Sequence, residues 1–147
     1  MKKLIFSFLI LLAGVGIASA QLSSTTYYGT ASDIFMGSSV SGTYDVTTTF
    51  VSSGSYYEMT VMTMDVSNHT VSITSPPKFI ESGGVYTLDP NQKGAGTVTV
   101  PYGGGSIYDF DVIDITLSFI NGKLTYYFEA EVPALGDMLI YFTFIES

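Results

Sequence analysis

Residues 113–132 read IDITLSFINGKLTYYFEAEV, and the Asn121-Gly122 pair at their centre decides the fold. A two-residue type I′ turn needs positive φ at both central positions, which Asn and Gly tolerate best, so this pair between apolar runs marks a β-hairpin. Placing the turn there sets the register. Phe119, Leu117, Ile115 and Ile113 fall opposite Leu124, Tyr126, Phe128 and Ala130 on one face. Ser118, Thr116, Asp114 and Val112 fall opposite Thr125, Tyr127, Glu129 and Glu131 on the other. A slip of one residue would set the apolar set against the polar one, so pattern and turn support each other.

The connection Pro133-Ala134-Leu135-Gly136-Asp137 extends the argument toward the C-terminus. With Val132 facing Met138, Ala130 faces Ile140, Phe128 faces Phe142 and Tyr126 faces Phe144, so one apolar face crosses three antiparallel strands. Toward the N-terminus, Tyr44, Val46, Thr48 and Phe50 alternate before Ser52-Ser53-Gly54-Ser55 turns the chain, which sets them against Thr63, Val61, Met59 and Tyr57. Met62, Met64 and Val66 form a second apolar row, and a β-bulge near residues 61–63 reconciles the two. Ser67-Asn68 turns the chain into a strand at 70–74, which Pro76-Pro77 ends because proline cannot donate to a ladder. Strands follow at Val85–Leu88 and Thr97–Val100, with glycine-rich turns at 94–96 and 103–105, and an early strand spans about Thr26–Ala31. Eight or nine short strands with mostly hairpin connections predict an all-β protein: an antiparallel up-and-down β-barrel of about eight strands.

Residues 1–20 stand apart. Lys2 and Lys3, the apolar run Leu4–Val15 and the small residues Ala18-Ser19-Ala20 have the form of a secretory signal peptide, with a single domain expected over 21–147. Export to the periplasm or the cell exterior is the corresponding expectation, with no membrane span after cleavage. Beyond residue 20 the chain carries three cations, Lys78, Lys93 and Lys123, against 13 acidic residues, a net charge of −10 with no arginine. Phosphate repulsion therefore argues against nucleic acid as a partner. With no cysteine, stability must come from packing rather than cross-links.

The signal peptide, Gly42-Thr43-Tyr44-Asp45-Val46, and the ending Asn121-Gly122-Lys123-Leu124-Thr125 through Tyr126–Val132 to Leu139-Ile140-Tyr141-Phe142-Thr143-Phe144 together resemble the small exported calycin-like, lipocalin-like β-barrel proteins of Gram-negative bacteria. The resemblance implies a barrel that can hold a ligand. The Gly-x-Trp of typical lipocalins is absent, and the chain has no tryptophan, so no family binding residue is carried over.

Little in the chain suggests catalysis. His69, the only histidine, is expected as a solvent-facing turn residue, poorly placed for a Ser-His-Asp arrangement. Asp109, Asp111 and Asp114 sit in a strand-like run rather than the curled loop that calcium needs, so no metal and no cofactor is expected. Asp114 opposes Glu129, with Glu131 one step along, which reads as a solvated outer face whose repulsion salt screens or, alternatively, as a docking patch for a basic partner or a weak cation site. Asp109 and Asp111 share parity with Ile113 and Phe119, which assigns them to the apolar face near one barrel end, where the strand either has already emerged at the rim or sets Asp111 at a cavity mouth as a polar anchor. The leading expectation is a non-enzymatic binding protein holding a small apolar or amphiphilic ligand, with Asp111, Tyr126, Phe128, Ile140 and Phe142 lining the site. The alternative is a structural or interaction protein with a filled barrel, acting on a protein partner through its acidic outer face and the exposed aromatics Tyr127 and Tyr141.

Overall fold

A computed structural model describes residues 21–101 and 105–147. The expected signal peptide and the glycines expected to turn the chain at 103–104 lie outside the described residues. The chain forms β1 (Thr26–Met36), β2 (Ser39–Val40), β3 (Tyr44–Ser53), β4 (Tyr56–Val66), β5 (His69–Ser75), β6 (Lys78–Ser82), β7 (Val85–Leu88), β8 (Ala95–Val100), β9 (Ser106–Ile120), β10 (Lys123–Val132) and β11 (Met138–Glu146), with a 3₁₀ turn at Pro133–Leu135. All pairings are antiparallel. Eight strands run β1-β11-β10-β9-β8-β5-β4-β3, and β3 pairs back to β1, closing an up-and-down barrel. Closure removes the free edges that a sheet of this length would otherwise present.

The barrel closes because the chain alternates and turns where its residues allow. Asn121 and Gly122 adopt φ of 53° and 77°, and Ser67 and Asn68 adopt 48° and 68°, so both tight hairpins have the positive φ of a type I′ turn. The β10–β11 ladder runs from Thr125↔Ile145 to Val132↔Met138, including every pair expected from the sequence. In the β9–β10 ladder, Phe119↔Leu124, Leu117↔Tyr126 and Ile115↔Phe128 also match.

At Ile113 the expected register fails. Glu129 still pairs Asp114, but Ala130 pairs Val112 and Glu131 pairs Asp111, leaving Ile113 as the extra residue of a β-bulge. One extra residue inverts every side chain beyond it. Phe110 and Val112 are buried, while Asp109 and Asp111 are exposed. The assignment of Asp109 and Asp111 to the apolar face is thereby corrected: desolvation favours burying the Phe110 and Val112 side chains over two carboxylates.

The β3–β4 hairpin is displaced in the same manner. Its turn is Gly54-Ser55, since Ser53 pairs Tyr56, and Phe50 opposes Met59 rather than Tyr57. A bulge at Thr60 then brings Met62 opposite Thr48 and Met64 opposite Val46, which unites the two apolar rows one residue earlier than expected. A further extra residue at Asp33–Ile34, with Asp33 at φ 52°, turns Ile34 inward and leaves Phe35 opposite Tyr141. His69 is not in the turn but opens β5 opposite Val66, half-buried, with its Nδ1 3.2 Å from the Val66 carbonyl.

The wall between β4 and β9 is built in two pieces. β5 and β8 fill one half, pairing Thr63–Val66 of β4 through to the first part of β9. After Pro76-Pro77 the hairpin β6–β7, of which only β7 was expected, pairs Tyr56–Glu58 of β4. Past Asp111, β9 leaves β8, and β7 packs beside it without forming a ladder among the described residues. Phe79, Tyr86 and Leu88 of this hairpin are buried, Phe79 edge-on to Phe50 at 5.8 Å and Tyr86 to Phe119 at 6.5 Å. Leu22 is buried at the same end, its N–H donating to Tyr86 Oη at 2.9 Å.

Candidate functional site

Four of the five residues expected to line a ligand site are fully buried: Tyr126, Phe128, Ile140 and Phe142. Cross-strand pairing sets their rings against one another. Tyr126 stacks on Phe144 at 4.6 Å, Phe128 stacks on Phe142 at 5.0 Å, and Phe110 meets Phe128 edge-on at 5.9 Å. Thr48 of β3 and Tyr126 of β10 share a 2.7 Å hydrogen bond, although their strands lie three places apart around the ring, so this bond spans the lumen. Burial drives the Tyr126 phenol well above its ordinary pKa, against the Thr48 hydrogen bond, which lowers it. Two glycines are notches for the rings: a Cβ on Gly96 would lie 2.3 Å from the Phe110 ring, and one on Gly29 2.6 Å from Phe144. Among the described residues no buried side-chain polar atom lacks a hydrogen-bond partner. Interdigitated rings, glycine notches and satisfied polar atoms describe a packed interior.

The outer face of β1–β11–β10–β9 differs in kind. Phe35, Tyr141, Glu129 and Asp114 stand in one cross-strand row. Ser32, Thr143, Tyr127 and Thr116 form a second, and Leu139, Glu131 and Asp111 fall in a third. Phe35 and Tyr141 stack with centroids 4.8 Å apart and an interplanar angle of 2°, and Tyr127 lies 6.3 Å from Tyr141. Tyr127 Oη donates to Glu129 Oε2 at 2.9 Å, and Thr116 Oγ1 donates to Asp114 Oδ2 at 3.0 Å. Partial desolvation raises the Tyr127 phenol to about 12, helped by the hydrogen bond to the Glu129 carboxylate and by its charge. None of these three rows contains a cation. A groove of about 580 Å³ opens beside the stacked pair, lined by Asp33, Phe35, Ser39, Val40, Gly42, Thr43 and Tyr141 among others. Tyr127 and Tyr141 were legible as outward aromatics; Phe35 was not, because it lies past the early strand expected at about Thr26–Ala31, whereas β1 runs on to Met36.

Asp111, the fifth expected residue, lies on the outside, at the rim of a cleft of about 600 Å³ where the two-piece wall divides. Glu58, Ser75, Pro76 and Lys78 line it with the 90–95 loop and Val112. Lys78 Nζ lies 3.6 Å from Glu58 Oε1 and 4.4 Å from the centroid of the Tyr56 ring. A hydrogen bond from Ser53 and the neighbouring Lys78 hold the Tyr56 phenol below its ordinary pKa. The doubled proline was legible as a strand end, but the cleft was not expected, because only tertiary pairing brings Pro76 and the 90–95 loop together. Among the described residues there is no cluster of three or more His, Cys, Asp or Glu able to hold a metal ion.

Fold and surface define a small closed antiparallel barrel, compatible with a calycin-like layout, with a packed interior and an acidic aromatic outer wall. In comparison with known proteins, no family model, no curated protein and no solved structure matches the chain.

Proposed function

We propose that this protein is an exported, non-enzymatic interaction module of the calycin-like kind found in Gram-negative bacteria, which docks a cationic polypeptide segment on the outer wall of β1, β11, β10 and β9. The carrying observation is the row Phe35–Tyr141–Glu129–Asp114, where stacked aromatics adjoin carboxylates with no cation in the neighbouring rows. A lysine or arginine side chain can lay its aliphatic stem along the rings and set its charge against the acids. The groove beside Phe35 offers room for one such stem, with Asp33 in its lining. Opposed like charges at Glu129 and Asp114 leave a repulsion that a bound cation relieves. A ligand inside the barrel would first have to displace the stacked rings of Tyr126, Phe128 and Phe142, so the outer wall supports the better reading.

Fluorescence anisotropy with a labelled ten-residue Lys/Arg peptide tests this reading. Saturable binding is expected that weakens with salt, as electrostatic association does. Tyr141→Ala is expected to weaken it about tenfold, and Glu129→Gln with Glu131→Gln about threefold each, as aromatic anchors and rim charges do. Asp45→Asn with Asp65→Asn, on the facing parts of β3 and β4, is expected to leave binding unchanged. Equal weakening by the Asp45/Asp65 pair would reduce the effect to net charge and overturn the assignment of the face.

A further inference from the structure

The cleft that divides the wall between β4 and β9 has a chemistry of its own. In a chain with only three cations beyond residue 20, two of them, Lys78 and Lys93, line this one cleft. Lys78 is engaged by Glu58, the only ion pair among the described residues. Among the described residues, Lys93 has no carboxylate within 4.0 Å, and Asp111, on the same cleft, has no cation within that distance. The cleft therefore presents one unneutralised positive group and one unneutralised negative group that do not reach each other.

The scaffold around them is fixed. Lys78 and the 89–94 loop hold each other through backbone bonds, Asp89 N–H to the Lys78 carbonyl at 2.8 Å and Lys78 N–H to the Gln92 carbonyl at 3.0 Å. Gln92 N–H donates to the Asp89 carbonyl at 3.0 Å, and Asn91 N–H to Asp89 Oδ1 at 2.9 Å. At the base of the loop, Val112 N–H donates to the Gly94 carbonyl at 3.1 Å. Gly94 itself sits at φ +90°, where a Cβ would come within 2.7 Å of the Ser75 carbonyl oxygen and of Pro77. Only glycine fits there, so the loop that carries Lys93 is held close against Ser75 and Pro77, while Val112 N–H ties its end to the middle of β9, beside Asp111. The backbone that carries Lys93 is thus ordered before a ligand arrives, which reduces the conformational entropy lost on binding.

We infer that this cleft binds a small zwitterion of amino-acid or dipeptide size, its carboxylate on Lys93 and its ammonium on Asp111. Both contacts are charge-assisted hydrogen bonds, the stronger class. The volume of about 600 Å³ lies within the range of small-molecule sites and bounds the ligand's size. The amide side chains of Asn91 and Gln92 are available to a peptide bond, and Pro76 and Pro90 offer apolar surface to a side chain. A polyanion is excluded by Asp111 and Glu58, and a polycation by the two lysines. The inference needs neither the aromatic row nor Glu129, and shares with the docking face only Asp111, at the margin of its third row.

The test is a ¹⁵N NMR titration of protein expressed from the full chain and purified in the form the cell leaves it, with free amino acids and with simple dipeptides such as Ala-Ala. Saturable shifts are expected at amides 75–78, 89–95 and 111–112. Lys93→Gln and Asp111→Asn, both exposed substitutions, are each expected to weaken binding about tenfold, the scale of losing one charged contact, whereas Glu129→Gln leaves it unchanged. N-acetylation or C-terminal amidation of the dipeptide is expected to abolish the shifts at the same concentrations. Absence of saturable shifts up to millimolar ligand would overturn the inference, as would equal binding of the acetylated or amidated peptide.

Discussion

The wall of β9, β10 and β11 and the wall between β4 and β9 belong to one barrel, yet they are built on different principles. The first is a meander in which each strand pairs its sequence neighbour along most of its length, so inward rings stack row upon row. The second is divided into β5–β8 and β6–β7, two short pieces joined at Pro76-Pro77, and the division leaves a polar cleft. The difference teaches where a barrel this small can host chemistry. Continuous pairing fills the lumen and leaves its outer face for contact, whereas interrupted pairing leaves backbone and charged groups gathered around a gap.

The largest expected effect breaks the continuous wall. Phe128→Ala removes a ring packed on both Phe110 and Phe142 and should cost about 3–5 kcal/mol by chemical denaturation. A cost below about 1 kcal/mol would mean the interior is looser than the stacking implies. Gly96→Ala probes the junction of the two walls, because its Cβ would meet the Ser72 carbonyl oxygen at 2.2 Å as well as the Phe110 ring. A loss of about 1–3 kcal/mol is expected from such overpacking, while Gly84→Ala, with open space at its Cβ but φ +81°, should cost only the backbone strain of its turn.

Alkaline titration separates the two faces of β10. Tyr126 and Tyr127 both ionise above the ordinary tyrosine range when folded, Tyr127 at about 12. The unfolded chain therefore loses these protons first, and their stabilising contribution is complete below about pH 10 and lost as pH rises toward 12 and beyond. Stability measured by denaturation should fall over that window, and Tyr126→Phe should make the fall shallower; an unchanged slope would detach Tyr126 from the effect. The smallest change concerns the outer row. Asp114→Asn removes the like charge opposite Glu129 and should stabilise by about 0.2–0.5 kcal/mol at low salt, a gain that vanishes as salt is raised.

Legibility in the sequence followed the same division. Asn121-Gly122 and the strict alternation around it placed the meander and its core rings correctly, because a tight turn and a two-residue period leave one register that buries the apolar face. The site residues Tyr126, Phe128, Ile140 and Phe142 were read as inward, and they are; that the space between them is occupied depended on residues from β3, β8 and β9 that no local pattern connects to them. Asp111 was assigned to the wrong face because a bulge adds one residue without any change in composition. Phe35 was missed because the early strand was expected to end near Ala31, whereas β1 continues to Met36 past a bulge at Asp33–Ile34.

By itself, the sequence determined that this chain is an antiparallel barrel, where its principal hairpins turn, and that its surface is acidic, since these follow from turn stereochemistry, side-chain alternation and the count of charges. Only the tertiary structure decided which carboxylates face outward, that the lumen is full, and that Lys93 and Asp111 share a cleft. The bulges at Ile113 and Asp33 and the crossing of the lumen are settled by the competition to bury apolar surface across strands far apart in the chain, and of the bulges only the one in β4 left a local sign, in its two apolar rows.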